Sequence, residues 1–369
     1  MAAGARAGRR PGLPGRRHRP RRPGPVPPAL AHPRREHPRR VGPVSGGGPV
    51  PAARYAFGVA HPVAPMLRVR YRQGVPVDPY GFPDWTPYAR AVVELPPLPP
   101  GIGVDEARVL DVLTANLAVP DPADPQASGR TPAGWVWAHL ARSRRVALVP
   151  AELHAALRHL GGVSTGDADH RRRGLPVDTA TPPPLRFAQR LTPQAVARVE
   201  QRLGRTLPAG YRDFLARTNG GWPDWPAVHP RFGFVVDQPL FGVVRADWMQ
   251  DLCHANAWFT DRFTADLLAV GHVQGGLLAV RVAGGDEGSV WYWDDDDPRA
   301  RDDDTAADVA DRLLHRCADS FGVFWHALRA VPGSLRDLAV DAVAGGRVGR
   351  VDDGRTGSAL PPARRQPAA

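Results

Sequence analysis

Lysine is missing from this chain, so all 48 of its basic residues are arginine. Cysteine is almost missing: Cys253 and Cys317 are the only two in 369 residues. Both sit in apolar contexts, which argues against a disulfide framework and for a reducing compartment. No apolar run reaches the roughly 18 residues of a membrane-spanning helix, and the N-terminus carries arginine without the apolar core of a secretory signal. The expectation is a cytoplasmic protein with no membrane span.

What is abundant is proline and glycine, 42 and 39 residues, crowded at the ends and between segments. The net charge of +11 suggests nucleic acid until it is located. Residues 1–50 hold twelve arginines and a single acid, Glu36, which leaves 36 basic and 36 acidic residues in the rest. Residues 1–53 have almost no large apolar side chain to offset the entropy of ordering, and they read as a disordered Arg/Pro-rich tail. Its Arg16 to Arg22 stretch is either a solvated linker or a contact for phosphates.

From Arg54 the texture changes. Leu67 to Gly74 alternates as a strand does, and Val104 to Leu117 carries Val109, Leu110, Val112 and Leu113 in a helix. Trp137 and His139 fall on a strand, Arg144 to Val149 on its hairpin partner, and Ala151 to Leu160 on a helix with His154 and His159. A hairpin followed by a helix, with imidazoles on the first strand and on the helix, is the layout of ββα-metal nucleases. One imidazole there deprotonates water while others hold a divalent cation beside the scissile phosphate.

Gly81, Pro83, Asp84, Pro87 and Ala89, then Gly134, Trp137 and His139, then Leu148-Val149-Pro150, Leu153-His154, Ala156, His159 and Gly161-Gly162 carry a resemblance to the WHH toxin nucleases of the HNH superfamily. The resemblance implies His139 as general base, His154 and His159 as metal ligands, and Asp84 and Trp137 as further motif residues. One position departs from the pattern: the first histidine of the pair is Ala138, which has no lone pair to offer. The expectation is a degenerate nuclease-like unit, which needs a divalent metal only if it is active. Ala138→His is expected to raise metal affinity if the ββα geometry holds.

Residues 191–222 form a second organised stretch. Val196, Val199 and Leu203 follow a Thr192-Pro193 start at helical spacing; Tyr211, Phe214 and Leu215 make a second stripe that stops at Asn219-Gly220-Gly221. Glu200, Leu203-Gly204, Leu207-Pro208, Tyr211, Phe214-Leu215 and Asn219-Gly220-Gly221 resemble the pattern of the SUKH superfamily, the Smi/Knr-type domain common among bacterial immunity proteins. Leu267 to Val273, Gly276 to Val282 and Ser289 to Asp294 read as an antiparallel meander, and Ala306 to Leu328 as one closing helix. Trp291 and Trp293 share a strand face, which reads either as packing beneath that helix or as an anchor for a partner. Between Asp286 and Asp311 stand eleven carboxylates and two arginines. Asp294, Asp295, Asp296, Asp297, Asp302, Asp303 and Asp304 read as a solvated loop or as a surface for a basic partner.

The fold class expected is α+β: a SUKH-like domain of two helices, a meander and a C-terminal helix, preceded by a small ββα-metal-like domain, with disordered termini. The divisions expected are a tail (1–53), a nuclease-like domain (54–165), a linker (166–190), the SUKH-like domain (191–332) and a disordered tail (333–369). The resemblances imply a protein of a bacterial polymorphic toxin system that binds and neutralises a toxin, itself a nuclease. The alternative is a metal-dependent endonuclease toxin fused to its immunity domain. Nucleic acid is a further partner, through the N-terminal domain or the arginine-rich tail.

Overall fold

The structure, a computed structural model, describes residues 54–55, 69–77, 82–121, 129–157, 174–187, 189–243, 248–260, 262–295, 297, 299–300 and 304–361. The expected N-terminal tail, Gly81, His159, Asp296, Asp302 and Asp303 lie outside the described residues. The chain begins with two paired strands, Arg54–Tyr55 (β1) and Val75–Pro76 (β2). The strand expected from Leu67 to Gly74 is absent from its described part. Residues 69–73 are helical and turn because the buried Tyr71 hydroxyl donates to Glu152 and the Gly74 N–H closes on the Tyr71 carbonyl at 2.8 Å.

Strand Ala91–Glu94 (β3) leads to helix Val104–Ala118 (α1), then to the hairpin Trp135–His139 (β4) and Arg145–Pro150 (β5) and the short helix Ala151–Ala156 (α2). Leu185–Arg186 (β6) precedes helices Pro193–Leu203 (α3) and Ala209–Thr218 (α4). The Thr192 hydroxyl caps α3 by accepting from Ala195 N–H at 3.2 Å, as the Thr-Pro start predicts. Strands Trp222–Pro223 (β7), Ala227–Val228 (β8) and Val235–Val236 (β9) lead to helix Leu252–Trp258 (α5). Next come the long strands Leu267–Val273 (β10), Gly276–Arg281 (β11) and Val290–Asp294 (β12). Helix Ala306–Arg312 (α6), strand Leu314–Ala318 (β13), helix Phe321–Ala327 (α7), strand Arg329–Ala330 (β14), helix Gly333–Ala344 (α8) and strand Gly349–Arg350 (β15) complete the order.

The meander is present as the antiparallel sheet β10-β11-β12-β13. Its fourth strand corrects the expected single helix from Ala306 to Leu328. The free edge of β12 offers unpaired backbone groups, and residues 314–318 satisfy them, with Val290 opposite Ala318. Ser320 then starts a new helix by accepting from Val323 N–H at 3.3 Å. Trp291 and Trp293 consequently do not pack beneath one long helix: the guanidinium groups of Arg281 and Arg262 lie 4.9 and 5.3 Å from their ring centres. The expected disordered tail from residue 333 is corrected over 333–350 by α8 and β15. Leu335, Ala339 and Ala342 give α8 a buried apolar stripe, and β15 pairs with β3.

A second four-stranded antiparallel sheet has the order β15-β3-β5-β4. Helix α1 lies against it and is buried nearly all round, because it is apolar on more than one face. Val112 and Ala115 pack against this sheet with Val93, Trp137, Val146 and Leu148. Val109, Leu110 and Leu113 pack the other way, with Val228, Val235, Val331, Leu335 and Ala339. A third cluster runs from Tyr71, Trp85 and Leu153 to Phe214, Trp258 and Tyr292 without a break. Each such side chain is worth roughly 1.5–3 kcal/mol when buried, against about 0–1 kcal/mol for a surface ion pair such as Arg145 with Glu94, so apolar packing is what holds residues 91–157 to residues 191–342. Among the described residues no helix is long and apolar enough to cross a membrane.

Candidate nuclease site and acidic hairpin

Side chains alternate along β4, and the regular register with β5 (Trp137 opposite Leu148, Ala138 opposite Ala147, His139 opposite Val146) leaves no bend to change that. Trp137 and His139 therefore face α1. The Trp137 indole N–H donates to Asn116 Oδ1 at 2.7 Å, and His139 Nε2 lies 3.1 Å from Asp111 Oδ2. Arg144, on the far side of the turn, grips the same carboxylate through Nη1 at 2.8 Å and Nη2 at 2.6 Å. Burial raises the Asp111 pKa, but the hydrogen bonds and charges of His139 and Arg144 outweigh it and leave the carboxyl below its usual range.

Ala138 faces the opposite way. It is 2% exposed and packs with Val136, Ala147, Val149 and Leu153 beneath α2. His154 belongs to α2, on that same side of the sheet: its ring centre is 5.3 Å from that of Trp85, and its Nδ1 is 4.0 Å from Asp295 Oδ2. The strand position that shares a face with His154 is the one filled by alanine, while His139 is on the other face in an ion cluster. Asp84, the carboxylate of the nuclease motif, accepts from Thr86 N–H at 3.1 Å and pairs with Arg355, which makes it a turn-holding group. Among the described residues no group of three or more histidine, cysteine, aspartate or glutamate side chains could hold a metal ion. The described residues do not fit a divalent metal of the ββα kind.

The acidic run is only partly a surface. Asp294 is 1% exposed and lies 3.4 Å from Arg108 Nη2. Asp297 is buried, with Arg299 Nη2 at 2.6 Å and His315 Nε2 at 3.5 Å. Burial raises its pKa, but the bonds from His315 and Arg299 more than reverse this and push it far down. Asp304 is buried against Arg312. These three correct the expectation of a solvated partner-binding loop: taking a charged carboxylate out of water is costly unless it is paired, and the chain supplies an arginine for each. Asp295 is partly exposed and faces His154.

The second stretch is built as its pattern requires. Glu200 Oε1 accepts from Leu207 N–H at 3.0 Å and from Arg212 Nε at 3.3 Å, tying the end of α3 to the start of α4. Leu207, Tyr211 and Phe214 are buried, and Pro208 stands at the start of α4, where its fixed φ of −55° suits the turn into the helix. Asn219 adopts a left-handed φ of 47° and clamps Val243 twice, donating to its carbonyl at 3.1 Å and accepting from its N–H at 2.6 Å. A Cβ on Gly220 would strike the Leu240 carbonyl, so glycine is required there by close approach, next to Gly221. Residues 190–325 match the SMI1 / KNR4 family (SUKH-1). Residues 127–169 match WHH, a nuclease of the HNH/ENDO VII superfamily with conserved WHH. The chain thus carries both a SUKH domain and a WHH domain, in the order and places their motifs indicated. No curated protein matches the chain.

Sequence reasoning missed Asp111, Arg144, Asn116 and Arg108. The available signal was the set of polar residues at buried positions of α1, where an otherwise apolar helix carries Asp105, Arg108, Asp111 and Asn116. Buried polar groups of that kind are hydrogen-bonded, so each announces a partner elsewhere in the chain.

Proposed function

We propose that this chain is a binding protein of a bacterial polymorphic toxin system. Its SUKH domain neutralises a partner toxin, itself a nuclease, by occluding it, and its WHH domain is a degenerate nuclease unit retained as scaffold. Residues 54–165 and 191–332 are the two units of that pair, and the cytoplasm is where it acts. The observation that carries the reading is the split of the nuclease motif across β4: alanine on the face of His154, and His139 held on the other face by Asp111 and Arg144.

The test uses the full chain in two assays. As bait in a bacterial lysate it is expected to retain a nuclease and, when added back, to inhibit that nuclease. Offered DNA and RNA with Mg²⁺, Mn²⁺, Ni²⁺ or Zn²⁺, it is expected to leave them intact. Metal-dependent cleavage by the wild-type chain, lost in His139→Ala, would replace this reading with that of a fused endonuclease toxin.

A further inference from the structure

Two hollows in the SUKH domain are shaped to one helix. A Cβ added to Gly233 would collide with the Asp105 side chain, and one added to Gly275 would come within 2.9 Å of Arg108 Nε. Both glycines have positive φ, 67° and 98°. Asp294, paired across the strands with Gly276, meets Arg108 through its carboxylate. One turn further along α1, the apolar side chains Val109, Leu110 and Leu113 enter the cluster of Val228 and Val235.

Near its end the helix makes a polar contact. Asn116 Nδ2 donates to Asp237 Oδ2 at 3.3 Å, and Thr131 adds a bond from its N–H at 3.2 Å and one from its hydroxyl at 2.6 Å. Gln274 Nε2 donates to Thr131 Oγ1 at 2.9 Å. Asp237 is buried, which raises its pKa against the pull of these donors. Through Asn116 Oδ1 the network reaches the Trp137 indole. A carboxylate this deep needs the complete donor set, so the surface recognises a helix with an amide at this place and not merely an apolar one.

We propose that Gly233, Asp237, Gln274, Gly275 and Asp294 form a helix-receiving site of the SUKH domain, occupied here by the chain's own α1. A partner protein whose apolar helix carries aspartate, arginine and asparagine at the spacing of Asp105, Arg108 and Asn116 competes for it. The site is filled in cis, so capture of a partner requires α1 to leave. This deepens the binding-protein reading by naming the surface and the element bound.

A fluorescent peptide of residues 100–121 is the probe, and anisotropy the readout. The wild-type chain is expected to bind it weakly. The full-chain variant Arg108→Ala/Asn116→Ala, whose own helix is loosened but whose receiving site is intact, is expected to bind it at least tenfold tighter. A peptide carrying Arg108→Ala should lose that gain, and so should addition of Asp237→Asn to the chain. Equal binding by wild type and variant, or no binding by a folded variant, overturns the proposal. Should the double variant not fold, native-state hydrogen exchange on the wild type decides. Amides of residues 109–115 opening at lower denaturant than those of residues 268–273 support a separable helix, and coincident opening overturns it. The assays contain no toxin, so their failure leaves toxin neutralisation standing, and failure of neutralisation leaves the site standing.

Discussion

The two four-stranded sheets differ in how they are assembled. The SUKH sheet takes its strands in sequence order, β10 to β13, from residues 267–318. The sheet of the WHH half takes a hairpin from residues 135–150, a third strand from 91–94 and its outer strand from 349–350. The helix packed on that second sheet, α1, is covered on its other side by SUKH strands and by α8. A sheet built from neighbours in sequence can close by itself, whereas a sheet built from distant pieces depends on everything that brings those pieces together.

That contrast is broken most severely by removing the chain's last elements. Ending the chain after Val331 strips Leu335, Ala339 and Ala342 from α1 and β15 from β3. It is expected to lower the calorimetric Tm by about 10 °C or more, since a single buried leucine is worth about 2–5 kcal/mol. A shift under about 2 °C would mean that the WHH sheet closes without them.

Ala138→His inserts an imidazole beneath α2, where neighbours are apolar. It is expected to cost about 2–4 kcal/mol in urea unfolding and to add no Zn²⁺ or Mg²⁺ affinity by calorimetry. Tighter metal binding with stability retained would restore the ββα-metal site.

Asp111→Asn should cost about 1.5–3 kcal/mol at pH 7, the value of hydrogen bonds to a charged group. The Asp111 pKa is lowered in the folded chain, so its contribution is present above the ordinary carboxylate range and is lost as pH falls through the folded value. Denaturation curves of wild type and variant should therefore converge in acid; a constant gap from pH 7 to pH 2 would assign the loss to packing.

In the SUKH half, burial lowers the His229 pKa to about 4 among Phe232, Phe234 and Phe324. The unfolded chain binds that proton near pH 6.5, so His229 lowers stability as pH falls from about 6.5 to about 4. His229→Phe should leave stability at pH 7 within about 1 kcal/mol and gain about 2 kcal/mol over wild type at pH 5. The smallest effect belongs to Asp295→Asn. The Asp295 carboxylate is 4.0 Å from His154, and its loss is expected to change stability by less than about 0.5 kcal/mol. A loss above about 1 kcal/mol would make that contact part of the core joining the two halves.

The same contrast decides what could be read from the chain alone. The helices α3 and α4, their Thr192 cap and the Asn219 turn were legible because cap, spacing and stop signal lie within thirty residues. The hairpin that carries Trp137 and His139 was legible for the same reason. Strand β13 was not: Leu313 and Cys317 keep helical spacing, and only the open edge of β12 makes residues 314–318 extended. The acidic run misled because its arginine partners are Arg108, 186 residues away, and Arg299 and Arg312, whose pairing no spacing rule specifies. Alternation on β4 placed Ala138 and His139 on different faces; the identity of the group opposite His139 needed α1 in position.

The outer strand β15 has a consequence for how the protein is made. Ribosomes release a chain from its N-terminus, at about 5–20 residues per second. Residues 91–150 emerge long before residues 333–350, which complete their sheet and cover α1. The nuclease-like half therefore waits, unfinished, until the entire SUKH domain has been synthesised. In this chain the sheet that carries the WHH hairpin gains its outer strand only from residues that follow the SUKH match.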